Sequence, residues 1–322
     1  MFAVFAGSIH ADDPLAGLVV GEFVEPALPE DWVKVEVKAA SLNHHDLWTL
    51  RGVGITADRL PMVLGCDAAG IAPDGSEVIV HAVIGDPAAG GGDETLDPKR
   101  SLLSEVYPGT LAEHVWVPAR NLLPKPDNLT FAEAACLPTA WLTAYRMLTT
   151  RGQLLPGETV LVQGAGGGVA TAAIALGKML GLRVWATSRD ATKRDAALAI
   201  GADAVFESGA RLPERVDAVM ETVGEATWAH SLKSLRPGGR IVVSGATSGP
   251  QPPADLARVF FLQLSVIGST MGTAKELAAL IELISSSDVR PVIKGEFPMA
   301  DAAEAFAALA AGDVFGKLVL TR

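Results

Sequence analysis

The chain has 322 residues, of which 49% are hydrophobic, and its formal net charge is −11. This length and composition predict a globular protein of two domains, and the acidic charge without a basic run argues against a nucleic-acid surface. No segment has about 18 consecutive apolar residues and the start of the chain lacks a signal-peptide pattern, so we expect no membrane association and a cytoplasmic location. Two cysteines, Cys66 and Cys136, are too few for a disulfide framework or a four-thiolate zinc site.

The first 125 residues show short apolar runs separated by Gly and Pro, at residues 18–24, 32–39, 78–82 and 112–117. This pattern is typical of a mostly β domain. Between residues 86 and 108 the composition changes to Pro, Gly and acidic residues, which predicts a long surface loop. That loop contains no cysteine.

From residue 128 the pattern becomes helical, and Thr130 with Glu133 three residues later predicts a capping box. Strands then alternate with helices, with strands expected at 159–162, 184–187, 204–206, 217–220, 241–244 and 262–268. The alternation predicts a doubly wound parallel sheet. Helices at 275–285 and 301–311 precede a last strand at 317–321, which we expect to pair with the first domain, because an isolated terminal strand is unstable.

A glycine-rich turn separates the first strand and helix of the alternating region. Ala165, Gly167 and Ala170 fit the Gly-x-Gly-x-x-Gly/Ala frame of a dinucleotide-binding turn, and Gly168 and Val169 lie within it. A turn of this kind lets a pyrophosphate approach the N-terminus of the helix. The alternative is a glycine turn that only packs the strand against the helix.

The end of the second strand predicts which dinucleotide binds. Ser188, Arg189 and Lys193 suit the 2′-phosphate of NADP, whereas an NAD site would have an acidic residue there. Asp190 leaves NAD as an alternative cofactor. If the ribose contact lies one position later in the sequence than expected, the Asp190 carboxylate would reach the ribose. In a third interpretation Ser188 and Asp190 are only helix caps.

Two further turns follow later strands of the predicted sheet. Ligands of open α/β folds bind at the carboxyl ends of the strands, so we expect these turns to line the ribose and nicotinamide. Their residues are Thr222, Val223, Gly224, Ser244, Gly245 and Ala246. The alternative is that both are ordinary strand-to-helix turns.

Several segments together resemble the medium-chain dehydrogenase/reductase superfamily, on its quinone-oxidoreductase-like side. They are AASLNHHDLWTLRG, LPMVLGCDAAG, PGTLAEHVWVPARNLLPKP, AACLPTAWLTAYRML, GAGGGVA, LRPGGRIVVSG and FGKLVL. The resemblance implies an α/β protein with a GroES-like, mostly β catalytic domain from residues 1–125 and 270–322. It also implies a Rossmann domain at 126–269, with catalysis in the cleft between the two.

The resemblance also identifies candidate catalytic residues. Zinc-dependent members hold the metal with cysteine, histidine and glutamate side chains, and the matching positions here are Asn43, Cys66 with Asp67, and Thr139. We therefore expect no metal, and we expect the Asn43 amide and the Thr139 hydroxyl to stabilise charge on a substrate oxygen. His44 matches a contact of the cofactor pyrophosphate, and His45 matches a proton relay.

Each of these residues also has an interpretation without a function. Asn43 could satisfy a turn, Thr139 could be an ordinary helix residue, and the two histidines could be loop residues without a role. We interpret Cys66 as a small buried side chain in preference to a reactive thiol.

The sequence thus predicts an NADPH-dependent reductase of a quinone or an α,β-unsaturated carbonyl, acting on a small molecule without zinc. The alternatives are a zinc-type alcohol dehydrogenase with atypical ligands and a non-catalytic NADPH-binding protein. The segment 260–267 is an apolar run predicted to be a strand, and the resemblance implies that it is an edge strand that pairs with a second copy, so we expect a homodimer.

Overall fold

The computed structural model describes residues 1–25, 27, 29 and 31–322. The strands in this part of the chain are β1 (Phe2–Ala6), β2 (Leu18–Glu22), β3 (Trp32–Ser41), β4 (Met62–Val63), β5 (Ala68–Ile71), β6 (Glu77–Val80), β7 (Val83–Ile84), β8 (Ser101–Leu102), β9 (His114–Pro118), β10 (Leu122–Pro124), β11 (Thr159–Val162), β12 (Arg183–Thr187), β13 (Ala204–Phe206), β14 (Val216–Glu221), β15 (Leu235–Val243), β16 (Ser265–Gly268), β17 (Ile293–Pro298) and β18 (Lys317–Thr321). The α-helices are α1 (His44–Leu50), α2 (Phe131–Ala135), α3 (Leu142–Arg146), α4 (Gly168–Met179), α5 (Ala191–Ala199), α6 (Glu225–Ser234), α7 (Leu256–Phe261), α8 (Ala274–Ser285) and α9 (Ala302–Ala311). None of these helices has both the length and the apolar character needed to cross a membrane.

The chain forms two compact units. The first unit contains Met1–Leu142 and Met271–Arg322, and the second contains Thr143–Thr270. Residues 126–142, which the sequence analysis assigned to the Rossmann domain, lie in the first unit, where α2 packs against β3 and β5. The predicted domain limits themselves stay a prediction.

The first unit is the GroES-like part of the fold. Its main sheet has the order β10-β6-β5-β3-β18-β17, with β9 also paired to β3, and a smaller sheet has the order β2-β1-β4. The last strand, β18, runs antiparallel to β3 with Val319 opposite Ser41, which confirms that the chain returns to its first half. Helix α9 closes the core of this unit with Phe306, which is fully buried.

The second unit contains a parallel sheet of six strands in the order β13-β12-β11-β14-β15-β16, counted within the described chain. The central strand β11 is fully buried, as expected of an apolar run covered on both faces by helices. The predicted doubly wound sheet is confirmed. Because all six strands are parallel, their carboxyl ends lie on one edge of the sheet.

Two sequence expectations were wrong in detail. Phe260 and Phe261 lie in helix α7, because the Asp255 side chain accepts a hydrogen bond from the Arg258 amide and so begins a helix there. The strand that follows, β16, is shorter than expected, since it contains only Ser265–Gly268, and it lies at the edge of the sheet. The homodimer expected from this edge stays a prediction. His44 and the residues after it form helix α1 instead of a loop.

The segment 86–108 is not simply a surface loop. Its Leu103 and Ser104 are fully buried, and Glu94 is 6% exposed, with its carboxylate accepting from the Ala274 amide at the start of α8. The acidic composition predicted an exposed segment. Instead, aspartate carboxylates accept hydrogen bonds from amides of the same segment, as Asp97 does from the Asp86 amide, and these bonds make the segment compact.

Candidate active site

The glycine-rich turn of the second unit lies between β11 and α4. Gly164 has a φ of +71°, and a Cβ at this position would stand 2.6 Å from Val223 Cγ2, so only glycine fits. Helix α4 begins after Gly167, and no side chain caps its first amides. The predicted residues Ala165, Gly167, Gly168, Val169 and Ala170 all lie in this turn or the first turn of the helix. An uncapped helix N-terminus at the carboxyl edge of a parallel sheet fits a diphosphate group.

The Ala165 amide does not face this opening, because it donates to the Thr187 carbonyl at 2.7 Å. Its role is to tie the glycine turn to the end of β12. The Gly-x-Gly-x-x-Gly/Ala pattern alone did not predict this hydrogen bond.

The end of β12 holds the residues predicted to select the cofactor. Ser188 is buried and its Oγ accepts from the Asp190 amide at 3.2 Å, while Arg189 is exposed. Asp190 caps α5, where its Oδ1 accepts from the amides of Thr192 and Lys193. This carboxylate therefore already has partners within the protein.

The turns after β14 and β15 are tied to each other. The Thr247 and Ser248 amides donate to the carbonyls of Thr222 and Val223, and Gly224, with a φ of +93°, leaves no room for a Cβ beside the Gly249 carbonyl. The predicted residues of these turns are Thr222, Val223, Gly224, Ser244, Gly245 and Ala246. The buried Ser244 Oγ has no hydrogen-bond partner within the described residues.

In the first unit a buried lysine organises the residues around Asn43. Lys317 Nζ donates to Asn43 Oδ1 at 2.6 Å and to the Leu42 carbonyl at 2.7 Å, and it lies 3.3 Å from Asp67 Oδ2. Asp67 Oδ2 also accepts from Ser41 Oγ at 2.6 Å and from Asn43 Nδ2 at 2.8 Å. All of these side chains are at least 90% buried.

Both hydrogens of the Asn43 amide are used inside the protein. One is donated to Asp67 Oδ2 and the other to the Ser41 carbonyl at 3.3 Å. The predicted donation from Asn43 to a substrate oxygen therefore requires one of these bonds to open. Thr139 differs, because its buried Oγ1 has no hydrogen-bond partner within the described chain.

A second polar group surrounds His45 in α1. His45 Nε2 lies 3.1 Å from Glu105 Oε1, and Nδ1 lies 3.4 Å from both Cys66 Sγ and Ser104 Oγ. The Cys66 thiol itself donates to the Leu103 carbonyl, so it accepts from Nδ1. Each ring nitrogen thus faces a hydrogen-bond acceptor. This arrangement is expected of a charged imidazole, in which both nitrogens carry a hydrogen.

The electrostatics of His45 agree with this geometry. Burial disfavours the imidazolium, but the hydrogen bonds of the ring to Cys66 Sγ and to the Glu105 carboxylate, together with the nearby Asp46 carboxylate, outweigh the effect of burial, so the pKa of His45 lies well above its ordinary value. Burial raises the pKa of the Cys66 thiol, and burial also raises the pKa of Asp46 to about 6. Asp46 accepts from the amides of Asn43 and Gly65, which fixes the start of α1. His44 is exposed at the first position of this helix, and its contact with a pyrophosphate stays a prediction.

These residues do not form the ligand set of a catalytic zinc. Asp67 Oδ1 has no described partner, but Oδ2 is held by Lys317, and the Cys66 thiol is bonded to a carbonyl and faces His45. The amide of Asn43 and the hydroxyl of Thr139 are poor ligands, whereas a catalytic zinc takes three good ones. In the described part of the chain, no three His, Cys, Asp or Glu side chains are grouped so that they could hold a metal ion.

Three residues of the site were missed from sequence. Lys317 lies 250 residues from Asp67, Glu105 lies 60 residues from His45, and Glu221 supports the turn after β14 through the amides of Val223 and Gly224. Lys317 is part of the FGKLVL segment, so a charged residue in an apolar last strand was the one available signal. Nothing in the acidic composition of the 86–108 segment distinguished Glu105.

Comparisons with known proteins agree with both units. Residues 29–127 match the family described as alcohol dehydrogenase GroES-like domain, and residues 168–286 match zinc-binding dehydrogenase. The chain is 32% identical over 304 residues to the 2-methylene-furan-3-one reductase of Solanum lycopersicum, covering 92% of this chain and 73% of that protein. It is 31% identical over 306 residues to the chloroplastic NADPH-dependent alkenal/one oxidoreductase of Arabidopsis thaliana, covering 92% and 74%. A crystal structure of an NAD-dependent alcohol dehydrogenase superposes with a TM-score of 0.90, 33% identity and full coverage of both chains.

The buried lysine generates a prediction about stability. Lys317→Met leaves the Asp67 carboxylate buried without its ion-pair partner, so we expect the free energy of unfolding in urea to fall by about 3–5 kcal/mol. The control is Lys294→Met on β17, which is exposed and should change that free energy by less than about 0.5 kcal/mol. Equal effects of the two substitutions would contradict this account of the ion pair.

Proposed function

This chain belongs to the medium-chain dehydrogenase/reductase superfamily, and we propose that within it the protein is an NADPH-dependent reductase of quinones or α,β-unsaturated carbonyls that works without zinc. Membership makes it an NAD(P)-dependent oxidoreductase with a nicotinamide cofactor. The choice of NADPH, the substrate class and the absence of zinc are the proposed part. The names of two relatives, a 2-methylene-furan-3-one reductase and an NADPH-dependent alkenal/one oxidoreductase, support the substrate class.

The observation that carries the proposal is the place of the Lys317 ammonium. It is bonded to Asn43 and paired with Asp67, two of the positions that correspond to zinc ligands in zinc-dependent members. A bound cation there would have to share Asp67 with a buried positive charge, which is unfavourable. Charge that develops on a substrate oxygen must then be met by hydrogen-bond donors.

The proposed reaction needs a donor and an acid from the first unit. When bound, the reduced nicotinamide supplies a hydride to the β-carbon of the conjugated carbonyl. The π-electron pair of the substrate moves to its oxygen, and the Thr139 hydroxyl, which has no hydrogen-bond partner in the described chain, donates to that oxygen in the proposed complex. The protonated His45, after releasing one of its hydrogen bonds within the protein, then supplies the proton that completes the reduction. The proton goes to the α-carbon of an enone, or to the oxygen of a quinone, whose reduced ring then tautomerises to the hydroquinone. A conjugated substrate spreads the developing charge and so lessens the need for a metal.

Thr139→Val tests the donor and the zinc-free chemistry together. Loss of this hydroxyl should lower kcat for an enone or quinone substrate by roughly a hundredfold, while the Kd for NADPH stays the same. Thr139→Ser keeps the hydroxyl and should retain most of the activity. Turnover should also survive dialysis against a strong chelator.

Two outcomes would reject this proposal in different ways. Loss of turnover on chelation, with stoichiometric zinc in the purified protein, would favour an alcohol dehydrogenase with atypical ligands. Tight NADPH binding without turnover of any quinone, enone or aldehyde would favour a non-catalytic NADPH-binding protein.

Cofactor choice is tested at the end of β12. Because Asp190 is bonded to the amides of α5, we propose that Ser188, Arg189 and Lys193 face a 2′-phosphate, and NADPH should bind at least about ten times more tightly than NADH. Arg189→Ala should lower the ratio of the Kd for NADH to the Kd for NADPH, both measured by fluorescence titration. Arg183→Ala, at the amino end of the same strand, is the control and should leave the ratio unchanged. Equal affinity of the unmutated protein for both cofactors would reject the choice of NADPH.

The pH dependence tests His45 as the acid. His45 keeps its proton above the ordinary histidine pKa, so kcat/KM should be high at neutral pH and fall as the pH rises through the raised pKa. Glu105→Gln removes a carboxylate that raises this pKa, so the fall should move to lower pH. Glu77→Gln, whose carboxylate pairs with Lys125 instead, should leave the profile in place. If the pH profile of kcat/KM is the same in Glu105→Gln as in the unmutated protein, His45 paired with Glu105 is not the acid.

A further inference from the structure

A buried carboxylate supports the turn after β14. Glu221 is the last residue of that strand and is fully buried. Its Oε1 accepts from the amides of Val223 at 2.8 Å and Gly224 at 3.1 Å, and from Thr227 Oγ1 at 2.8 Å. Its Oε2 accepts from Ser231 Oγ at 2.6 Å. This side chain therefore holds the turn from inside, while the amides of Thr247 and Ser248 hold it from the neighbouring turn.

The surrounding hydrogen bonds have a single consistent direction. Thr187 Oγ1 donates to Gln163 Oε1 at 2.6 Å, which points the amide nitrogen of Gln163 towards His230 Nδ1 and Ser231 Oγ, each at 2.9 Å. Since Ser231 accepts from Gln163, its own hydrogen goes to Glu221. Both oxygens of Glu221 thus only accept, which is the pattern of an ionised carboxylate.

The charge of Glu221 has no oppositely charged hydrogen-bond partner among the contacts described for it. Its partners are two backbone amides and two hydroxyl groups. His230, at the far side of Gln163, is neutral, because Nδ1 accepts and Nε2 donates to the Ala210 carbonyl at 2.8 Å. The effective dielectric constant is lower inside a protein than in water. The buried negative charge of Glu221 therefore acts on other charges over a longer distance than a charge at the surface would.

We propose that Glu221 positions the Thr222–Val223–Gly224 turn and that its charge favours binding of the oxidised cofactor over the reduced one. The inference rests on the proposed function and on the expectation from sequence that this turn lines the nicotinamide and its ribose. The oxidised nicotinamide carries a positive charge and the reduced ring is neutral, so a nearby carboxylate stabilises only the oxidised form. Tighter binding of the oxidised form makes the bound reduced cofactor a stronger hydride donor, which suits a reductase.

Equilibrium binding of both cofactor forms separates the charge of Glu221 from its structural role. In Glu221→Gln the Kd for NADP⁺ should rise about three- to tenfold more than the Kd for NADPH, the size expected of a charge screened by a partly polar interior. Thr227→Val removes a hydroxyl donor to Glu221 but keeps the charge, so both Kd values should change by the same factor. An equal change of both Kd values in Glu221→Gln would overturn the proposed charge effect and leave a loop-holding residue only.

Two further measurements keep the test decisive. Glu221→Asn gives the same charge change if Glu221→Gln does not fold, as judged by its thermal transition, and should shift the Kd ratio in the same direction. Adenosine 2′,5′-bisphosphate lacks the nicotinamide, and its Kd should not change in any folded variant. If the unmutated protein binds neither NADPH nor NADP⁺, the proposed function fails; if it binds both and the Kd ratio is the same in all variants, only this inference fails.

Discussion

The first unit depends on the buried ion pair between Lys317 and Asp67. Removing an ammonium and a carboxylate from water costs several kcal/mol, and the arrangement is stable only if each finds its partner and further hydrogen bonds. Lys317 begins β18 and Asp67 directly precedes β5, so the pair fixes how the last strand lies against the first half of the chain. The same ammonium holds the Asn43 side chain at the start of α1, and α1 in turn brings His45 to Glu105.

Carboxylates at the ends of strands and helices hold the backbone of both units in the same way. Asp46 accepts from the amides of Asn43 and Gly65, and Glu221 accepts from the amides of Val223 and Gly224. In each case the carboxylate satisfies amides that secondary structure leaves unpaired. The segments expected to meet substrate and cofactor are therefore held by side chains that do not themselves need to touch either, which is how a site is kept in one geometry before binding.

The sequence predicted the elements that depend on local pattern. The capping box of Thr130 and Glu133, the parallel sheet and the return of the last strand are all confirmed, because each follows from spacing within a short window or from the order of elements. Helix α7 was mistaken for a strand, since Phe260 and Phe261 are β-favouring residues and the cap at Asp255 that begins the helix was overlooked. The partners of His45, Asp67 and the turn after β14 depend on contacts between distant parts of the chain, and a single sequence contains no pattern that records them.

The order of the two units along the chain has a consequence for synthesis on the ribosome. The second unit is one continuous segment, whereas the first needs both ends of the chain. Asp67 emerges 250 residues before Lys317, which at a typical rate of translation is roughly 10–50 s earlier. During that interval the ammonium that pairs with the Asp67 carboxylate in the folded protein has not yet been synthesised. The second unit is complete before β18 is made and is able to fold first, and β18 then completes the sheet of the first unit.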